Sequence, residues 1–197
     1  MYDLFIEHFY KKPMSEQKWE HELNLEQNHN WQKTNTIMRK CTKDTFIIWF
    51  QYRLLQRILP TKKYLYYMKI KNDPICNLCG IEIDTYSHAF FNCNIVYAFW
   101  KNIEEWIYEK TNVQLQLTVS DIILGRSGQQ NDALNIIISI CKMYLFSCSR
   151  ENKRISMYEI RAKINNYFIT EKKIYFSNSN TIKFKKRWQK FYMMFEY

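Results

Sequence analysis

Residues 45–59 read TFIIWFQYRLLQRIL, a run without glycine or proline that stops only at Pro60. Thr42 or Asp44 can cap a helix start before it and proline ends one, so the run predicts a single helix. On a wheel of ~100° per residue, Ile47, Leu54 and Ile58 fall on one side, and Ile48, Leu55 and Leu59 on another. That helix is apolar over most of its circumference. Arg53 and Arg57 share the narrow stripe that is left, one turn apart, where their heads reach water or a phosphate.

Working outward, Thr61 can cap a short helix through TKKYLYYMKI, and Asn72, Asp73 and Pro74 make a turn. Residues 1–40 are polar with scattered aromatics, Trp19 and Trp31 among them, and predict short helices with loose loops. Downstream, Asn94 can start the amphipathic helix IVYAFWKNIEEWIYEK, ending near Thr111. Gly125 and Gly128 bracket a loop, and an apolar helix follows from Asp132 to Cys148. After a charged break at Arg150 to Arg154, Ser156 and Glu159 fit a capping box for a helix reaching Lys172. In the last helix Phe184, Trp188, Phe191 and Phe195 share one face, and Lys183, Lys186 and Lys190 the opposite one.

With only three glycines and three prolines, the chain lacks the turn residues that many short strands need. The expected fold is mainly α: an irregular helical bundle with one zinc knuckle of Cys-Cys-His-Cys type inserted between helices. Three segments are expected: a polar helical stretch at 1–40, a zinc-binding unit at 41–110 with its knuckle at 76–93, and a helical region at 111–197 packed on the same unit.

The knuckle is CNLCGIEIDTYSHAFFNC, spaced C-x2-C-x8-H-x4-C over residues 76–93. Two cysteines two residues apart can both face one tetrahedral ion from a tight turn, which Gly80 permits through a positive φ. Asp84 or Thr85 can cap a helical turn presenting His88. A residue five positions later lies ~140° around an ideal helix, so that helix must fray before Cys93. Asn94 then caps the next one. Three thiolates and one imidazole close the shell, so Cys76, Cys79, His88 and Cys93 predict one structural Zn2+ with no site for a reacting water. Cys41, Cys141 and Cys148 read as packing residues, and His8, His21 and His29 as surface residues without ligand spacing.

Lys and Arg number 29 against 19 Asp and Glu, a net charge of +10 over 197 residues, which attracts polyanions before any contact forms. Candidate phosphate contacts are Lys62, Lys63, Lys69 and Lys71 before the knuckle and Lys183, Lys186, Arg187 and Lys190 near the C-terminus, beside Arg53 and Arg57. Tyr64, Tyr66 and Tyr67 lie among the first group and can stack on unpaired bases. The start, MYDLFIEHFYKKP, carries charges inside its apolar stretch and no small-residue cleavage site, so an intracellular, reducing compartment is expected. The apolar run from Ala133 to Cys148 falls short of the ~20 residues of a membrane span, so no membrane partner is expected.

The same residues resemble a known family: the C-terminal zinc-binding region of LINE-type, non-LTR retrotransposon reverse transcriptases. The likeness is carried by IIWFQYRLLQRILPTKKYL, CNLCG, the acidic IEID before SHAFFNC, and VYAFWKNI, and it continues through NIIISICKMYLFSCSRENKRISMYEIRAKI and IKFKKRWQKF. Asn94 stands where the family often has proline; the ligands are unchanged. The resemblance implies contact with element RNA or target DNA during target-primed reverse transcription, and packing on the polymerase part of a parent polyprotein. Polymerisation needs paired aspartates holding two magnesium ions, and no Asp-Asp pair occurs in the sequence. The expectation is therefore a non-catalytic, nucleic-acid-binding accessory region, a truncated or fragment copy, without a small-molecule substrate. Two other readings stand beside it: a structural or protein-interaction remnant, and a fragment of an active RNA-directed DNA polymerase.

Overall fold

The computed structural model describes residues 12–26 and 28–195; His8 lies outside them. The order is α1 (Met14–Leu23), α2 (Trp31–Cys41), α3 (Thr45–Leu55), α4 (Lys62–Tyr67), a π turn (His88–Asn92), α5 (Asn94–Thr111), α6 (Val119–Leu124), α7 (Asp132–Glu151), α8 (Met157–Ser177) and α9 (Thr181–Trp188). Short 3-10 turns precede α7 and follow α9. No strand occurs among the described residues, and Ile75 and Ile83 form one isolated antiparallel bridge. The mainly helical architecture expected from the sequence is the one observed.

α7 is the axis of the bundle. Ile136, Ile137, Ile138, Ile140, Tyr144 and Leu145 point in several directions and are all buried, because α2, α3, α8 and the π turn pack around it. The helix runs three residues past the expected Asp132–Cys148 span, ending at Glu151, and it reaches the length of a membrane span. Length therefore does not separate it from such a span. Its coverage by neighbouring helices is what makes it a core helix here.

α3 begins as expected, with the Asp44 carboxylate accepting from the amides of Phe46 and Ile47. It ends earlier than expected, at Leu55 rather than near Pro60. The amide of Arg57 donates to Leu54 and that of Ile58 to Arg53, a Schellman turn with Arg57 in the left-handed region at φ 56°. Arg57 thus leaves the stripe it was expected to share with Arg53. Its guanidinium lies 4.2 Å from the Trp19 ring centre and 4.8 Å from that of Tyr86, and it pairs with Glu22.

Among the described residues of the 1–40 segment, that sandwich holds α1 on the core rather than leaving it loose. Trp19 is fully buried and donates its indole N–H to the Leu55 carbonyl at 3.0 Å; Trp31 is buried and donates to Glu20 at 2.7 Å. Local composition gave no sign of this, because a surface poor in aliphatic residues was anchored by two large rings. Arg57→Ala should lower stability by about 1–2 kcal/mol, from the lost ring contacts and the partly buried pair. Urea unfolding measures it, and an unchanged midpoint would show that the sandwich contributes nothing.

The later caps are shared differently from the sequence reading. The Ser156 hydroxyl accepts from the Glu159 amide at 3.4 Å, but the Ser156 amide donates to the Tyr144 hydroxyl at 2.7 Å, so the box is only half made. Glu159 turns instead to Lys153 at 3.0 Å. α8 continues past Lys172 to Ser177. A complete capping box, Thr118 with Asp121, opens α6, which the sequence reading did not place. Phe184, Trp188 and Phe191 are buried on one side of the C-terminal segment, while Lys183, Lys186 and Lys190 are exposed.

Candidate metal centre and basic surfaces

The bridge between Ile75 and Ile83 closes a small loop whose inner bonds are Cys76 N–H to Glu82 O at 2.8 Å and Gly80 N–H to Cys76 O at 2.9 Å. Gly80 sits at φ 67°, the left-handed conformation that lets the chain reverse between the two cysteines and Glu82. Asp84 does not cap the following turn. It is buried and accepts the Lys62 amide at 2.6 Å, tying the start of α4 to the knuckle. Thr85 caps instead, its hydroxyl accepting from the His88 amide at 3.1 Å.

The step from His88 to Cys93 is resolved by widening rather than fraying. Residues His88–Asn92 form a π turn, with the Cys93 amide donating to the His88 carbonyl at 3.1 Å. An i to i+5 bond stacks residue 93 one wider turn above residue 88, so both side chains face the same side. Cys93, rather than Asn94, is the N-cap of α5. Its sulfur makes no capping hydrogen bond, and the Ile95 amide donates to the Asn94 carboxamide oxygen at 2.8 Å, but the positive end of the helix favours a thiolate at this position.

The ligand atoms of Cys76, Cys79, His88 and Cys93 all lie within 4.8 Å of one another. Metal–sulfur bonds of ~2.3 Å in a tetrahedron would space sulfurs ~3.8 Å apart, so the set fits one zinc ion with little adjustment. His88 Nε2 is 3.4 Å from Cys79 Sγ and faces the cluster. On the far side Nδ1 is buried without a hydrogen bond, and the Glu82 carboxylate lies 3.2 Å away. That is where a carboxylate would fix the ring once Nε2 held a metal.

Burial pushes the Cys76 thiol up to about 12 and raises that of Cys93 as well. At Cys79 burial works in the same direction, but the amides of Glu82 and Ile81 and the His88 ring outweigh it and bring the pKa down to about 7. Without a cation Cys76 and Cys93 would stay protonated; a divalent ion is what would make the cluster a full set of thiolates.

Residues 9–100 match the family described as "zinc-binding in reverse transcriptase". The matched stretch contains all four cluster residues and ends at Trp100, within α5. That stretch is similar to the zinc-binding regions of reverse transcriptases. No match is found among curated proteins.

The cationic residues singled out from the sequence separate into three environments. Arg57 and Arg187 are used inside the fold. Arg187 is largely buried and pairs with Glu171, which also accepts the Trp188 indole N–H at 2.6 Å. These two arginines therefore hold structure rather than present charge. Around the matched region's α4, Lys62 pairs with Asp73 at 2.8 Å, Lys63 stands 6.0 Å over the Tyr67 ring, and Lys69 and Lys71 are exposed with Tyr64, Tyr66 and Tyr67. Arg53 stays half-buried on α3.

Lys183, Lys186 and Lys190 lie on a different surface, with Lys33, Lys40 and Arg126, which the sequence reading did not single out. Lys33 and Lys40 are seven apart, two turns on one helix face. That spacing is visible in the sequence, but the polar composition of residues 1–40 marks no definite helix to carry it. Cys41, Cys141 and Cys148 are buried, and burial raises the Cys41 thiol to about 12. His21 is exposed, whereas His29 is half-buried and shares a 2.8 Å hydrogen bond with Thr34.

Proposed function

We propose that the chain is a non-catalytic accessory region of a non-LTR, LINE-type retrotransposon reverse transcriptase, holding one structural Zn2+ and binding RNA or DNA without strong sequence preference. The observation that carries it is a closed shell of three cysteines and one histidine inside the stretch that matches zinc-binding regions of reverse transcriptases. The metal would join the loop at 76–83 to the π turn and so fix α4 against α5. Nucleic acid would be held by exposed lysines, with the net charge of +10 supplying a sequence-independent attraction. Free cysteines throughout the described residues suit the intracellular, reducing compartment proposed for it.

Fluorescence anisotropy with a labelled single-stranded RNA across a salt series tests this. Binding should weaken steeply between 50 and 200 mM salt, because each neutralised phosphate releases counterions. Absence of binding at the lowest salt would remove the nucleic-acid part of the proposal.

A second reading, docking on the polymerase part of a parent polyprotein, is favoured by α3. Phe46 is 78% exposed and Trp49 61%, three residues apart on its outer face, and Trp49 stacks on Tyr52 at 5.2 Å. Phe46→Ser with Trp49→Ser would then abolish co-purification with that polymerase segment while leaving RNA affinity unchanged. Undiminished co-purification would exclude this face.

A further inference from the structure

Residues of α2 and α9 line a cavity of about 790 Å³ together with the loop from Arg126 to Gln130. α2 contributes Lys33 and Lys40; α9 and the turn after it contribute Lys183, Lys186 and Lys190. All five are exposed, and none pairs with an acid among the described residues. Asp132 is the one carboxylate on the lining, and it is directed toward Arg187, 4.0 Å away. Facing rows of unpaired ammonium groups repel one another, a cost that a bound polyanion would remove.

A second cavity of about 990 Å³ adjoins the first, the two sharing Lys40, Lys183 and Arg187 on their linings. It is less strongly positive, because Asp44 and Glu171 stand there with Arg39 and Lys43, and more aromatic, with Tyr167 and Tyr175 on its wall beside Asn166, Asn178 and Asn180. Cavities of this size accept one or a few nucleotides, whereas a duplex is a stiff cylinder far wider than either. Cations on one side and flat rings with amide side chains on the other match the two parts of an unpaired strand: phosphates, and bases that stack and hydrogen-bond.

From this we infer that the cleft between α2 and α9 is a binding site for single-stranded nucleic acid. Its backbone lies along Lys33, Lys40, Lys183, Lys186 and Lys190, and its bases turn toward Tyr167 and Tyr175. This rests on the nucleic-acid reading above and gives it a location. The cleft is separate from the lysines and tyrosines of α4, because the cavity that Lys63, Tyr64 and Tyr67 line shares no residue with either of these.

Two charge-reversal variants of the full chain decide it, using a fluorescein-labelled 15-nucleotide oligouridylate and far-UV circular dichroism to verify the fold. The cleft variant carries Lys183→Glu, Lys186→Glu and Lys190→Glu; the knuckle variant carries Lys63→Glu, Lys69→Glu and Lys71→Glu. Lys63 is half-buried and the other five lysines are exposed, and none of the six pairs with an acid among the described residues, so both variants should fold. The cleft variant should lose at least about tenfold in affinity at 100 mM salt, with a log–log salt slope smaller by ~2, at ~0.7 per phosphate contact for three contacts. The knuckle variant should stay within about threefold of the parent chain.

Lys33→Gln with Lys40→Gln, on the opposite wall, should lower the slope as well. If the knuckle variant loses binding and the cleft variant keeps it, the cleft is excluded while the nucleic-acid reading stands. If the parent chain itself does not bind, both fall. A blunt duplex that competes as well as the single strand would overturn the single-strand assignment.

Discussion

Chelation of the purified chain, or Cys93→Ser, should lower the melting temperature by about 10–20 °C and release about one zinc per chain, a stoichiometry expected of a closed site. Structural sites of this type contribute apparent energies of roughly 10–16 kcal/mol in isolated fingers. Here part of the fold is held independently by α7 and its neighbours, so a loss of about 5 kcal/mol is expected, at 2–4 °C per kcal/mol for a chain of this size. The effect should spread beyond the knuckle. Cys76, Phe90 and Cys93 are core residues, the Phe90 carbonyl accepts the Trp100 indole N–H at 2.8 Å, and the π turn packs on α5, α6 and α7. Calorimetry with a metal-release assay checks both parts. A metal-free chain with an unchanged melting temperature would show that thiols alone hold the turn.

Lys142→Met should stabilise the chain by about 1–4 kcal/mol at pH 7, the range seen when buried charges give way to apolar residues. Lys142 lies in the middle of α7, 1% exposed, with its ammonium donating to the Gln51 carboxamide, which in turn donates to the Ile123 carbonyl at 2.7 Å. Burial pulls its pKa from the ordinary 10.5 down to about 7. Between about pH 7 and 10.5 the unfolded chain binds a proton here that the folded chain does not, so this residue makes stability rise with pH across that window. Below pH 7 the penalty is constant. The gain from Lys142→Met should therefore be largest at and below neutral pH and shrink toward pH 10, where the lost hydrogen bond to Gln51 offsets what remains. Urea unfolding at pH 6.5, 8 and 9.5 follows it. A gain independent of pH would mean that the lysine is not desolvated.

The position of Lys142 marks a limit of pattern reading. Its neighbours Ile136 to Ile140 identify an apolar helix, and one lysine in such a run usually marks a wet edge. Only the packing of α3, with Gln51 facing inward, shows that the edge is closed. Arg57 carries the same lesson. The helical wheel placed it beside Arg53, but a Schellman turn rotates it onto Trp19 and Tyr86, because the helix ends where tertiary hydrogen bonds reward ending it.

The cluster was legible in the sequence: the four residues that the spacing singles out, Cys76, Cys79, His88 and Cys93, are the ones the fold brings together. Ligand chemistry restricts which side chains can take part, and a tight turn restricts their spacing, so C-x2-C-x8-H-x4-C carries its meaning locally. Its details were less so. A π turn was not foreseen at 88–93, since a five-residue step is incompatible with an α-helix and sequence alone does not say how the backbone will relieve it. Asp84 looked like a cap for its own turn and instead holds the start of α4, 22 residues earlier in the chain.

What the sequence determined by itself was whatever short-range rules govern: helices rather than strands, the break at Gly125 to Gly128, the four-residue cluster and the excess of positive charge. The tertiary structure decided which of those charges are available. Arg57 and Arg187 point inward because Glu22 and Glu171 are brought to them by other helices, α1 and α8. Lys33 and Lys40 join Lys183, Lys186 and Lys190 because α2 and α9, some 150 residues apart along the chain, flank one cleft. Charge is a local property of a residue, but whether it is neutralised, buried or gathered with others depends on contacts between segments that no local pattern encodes.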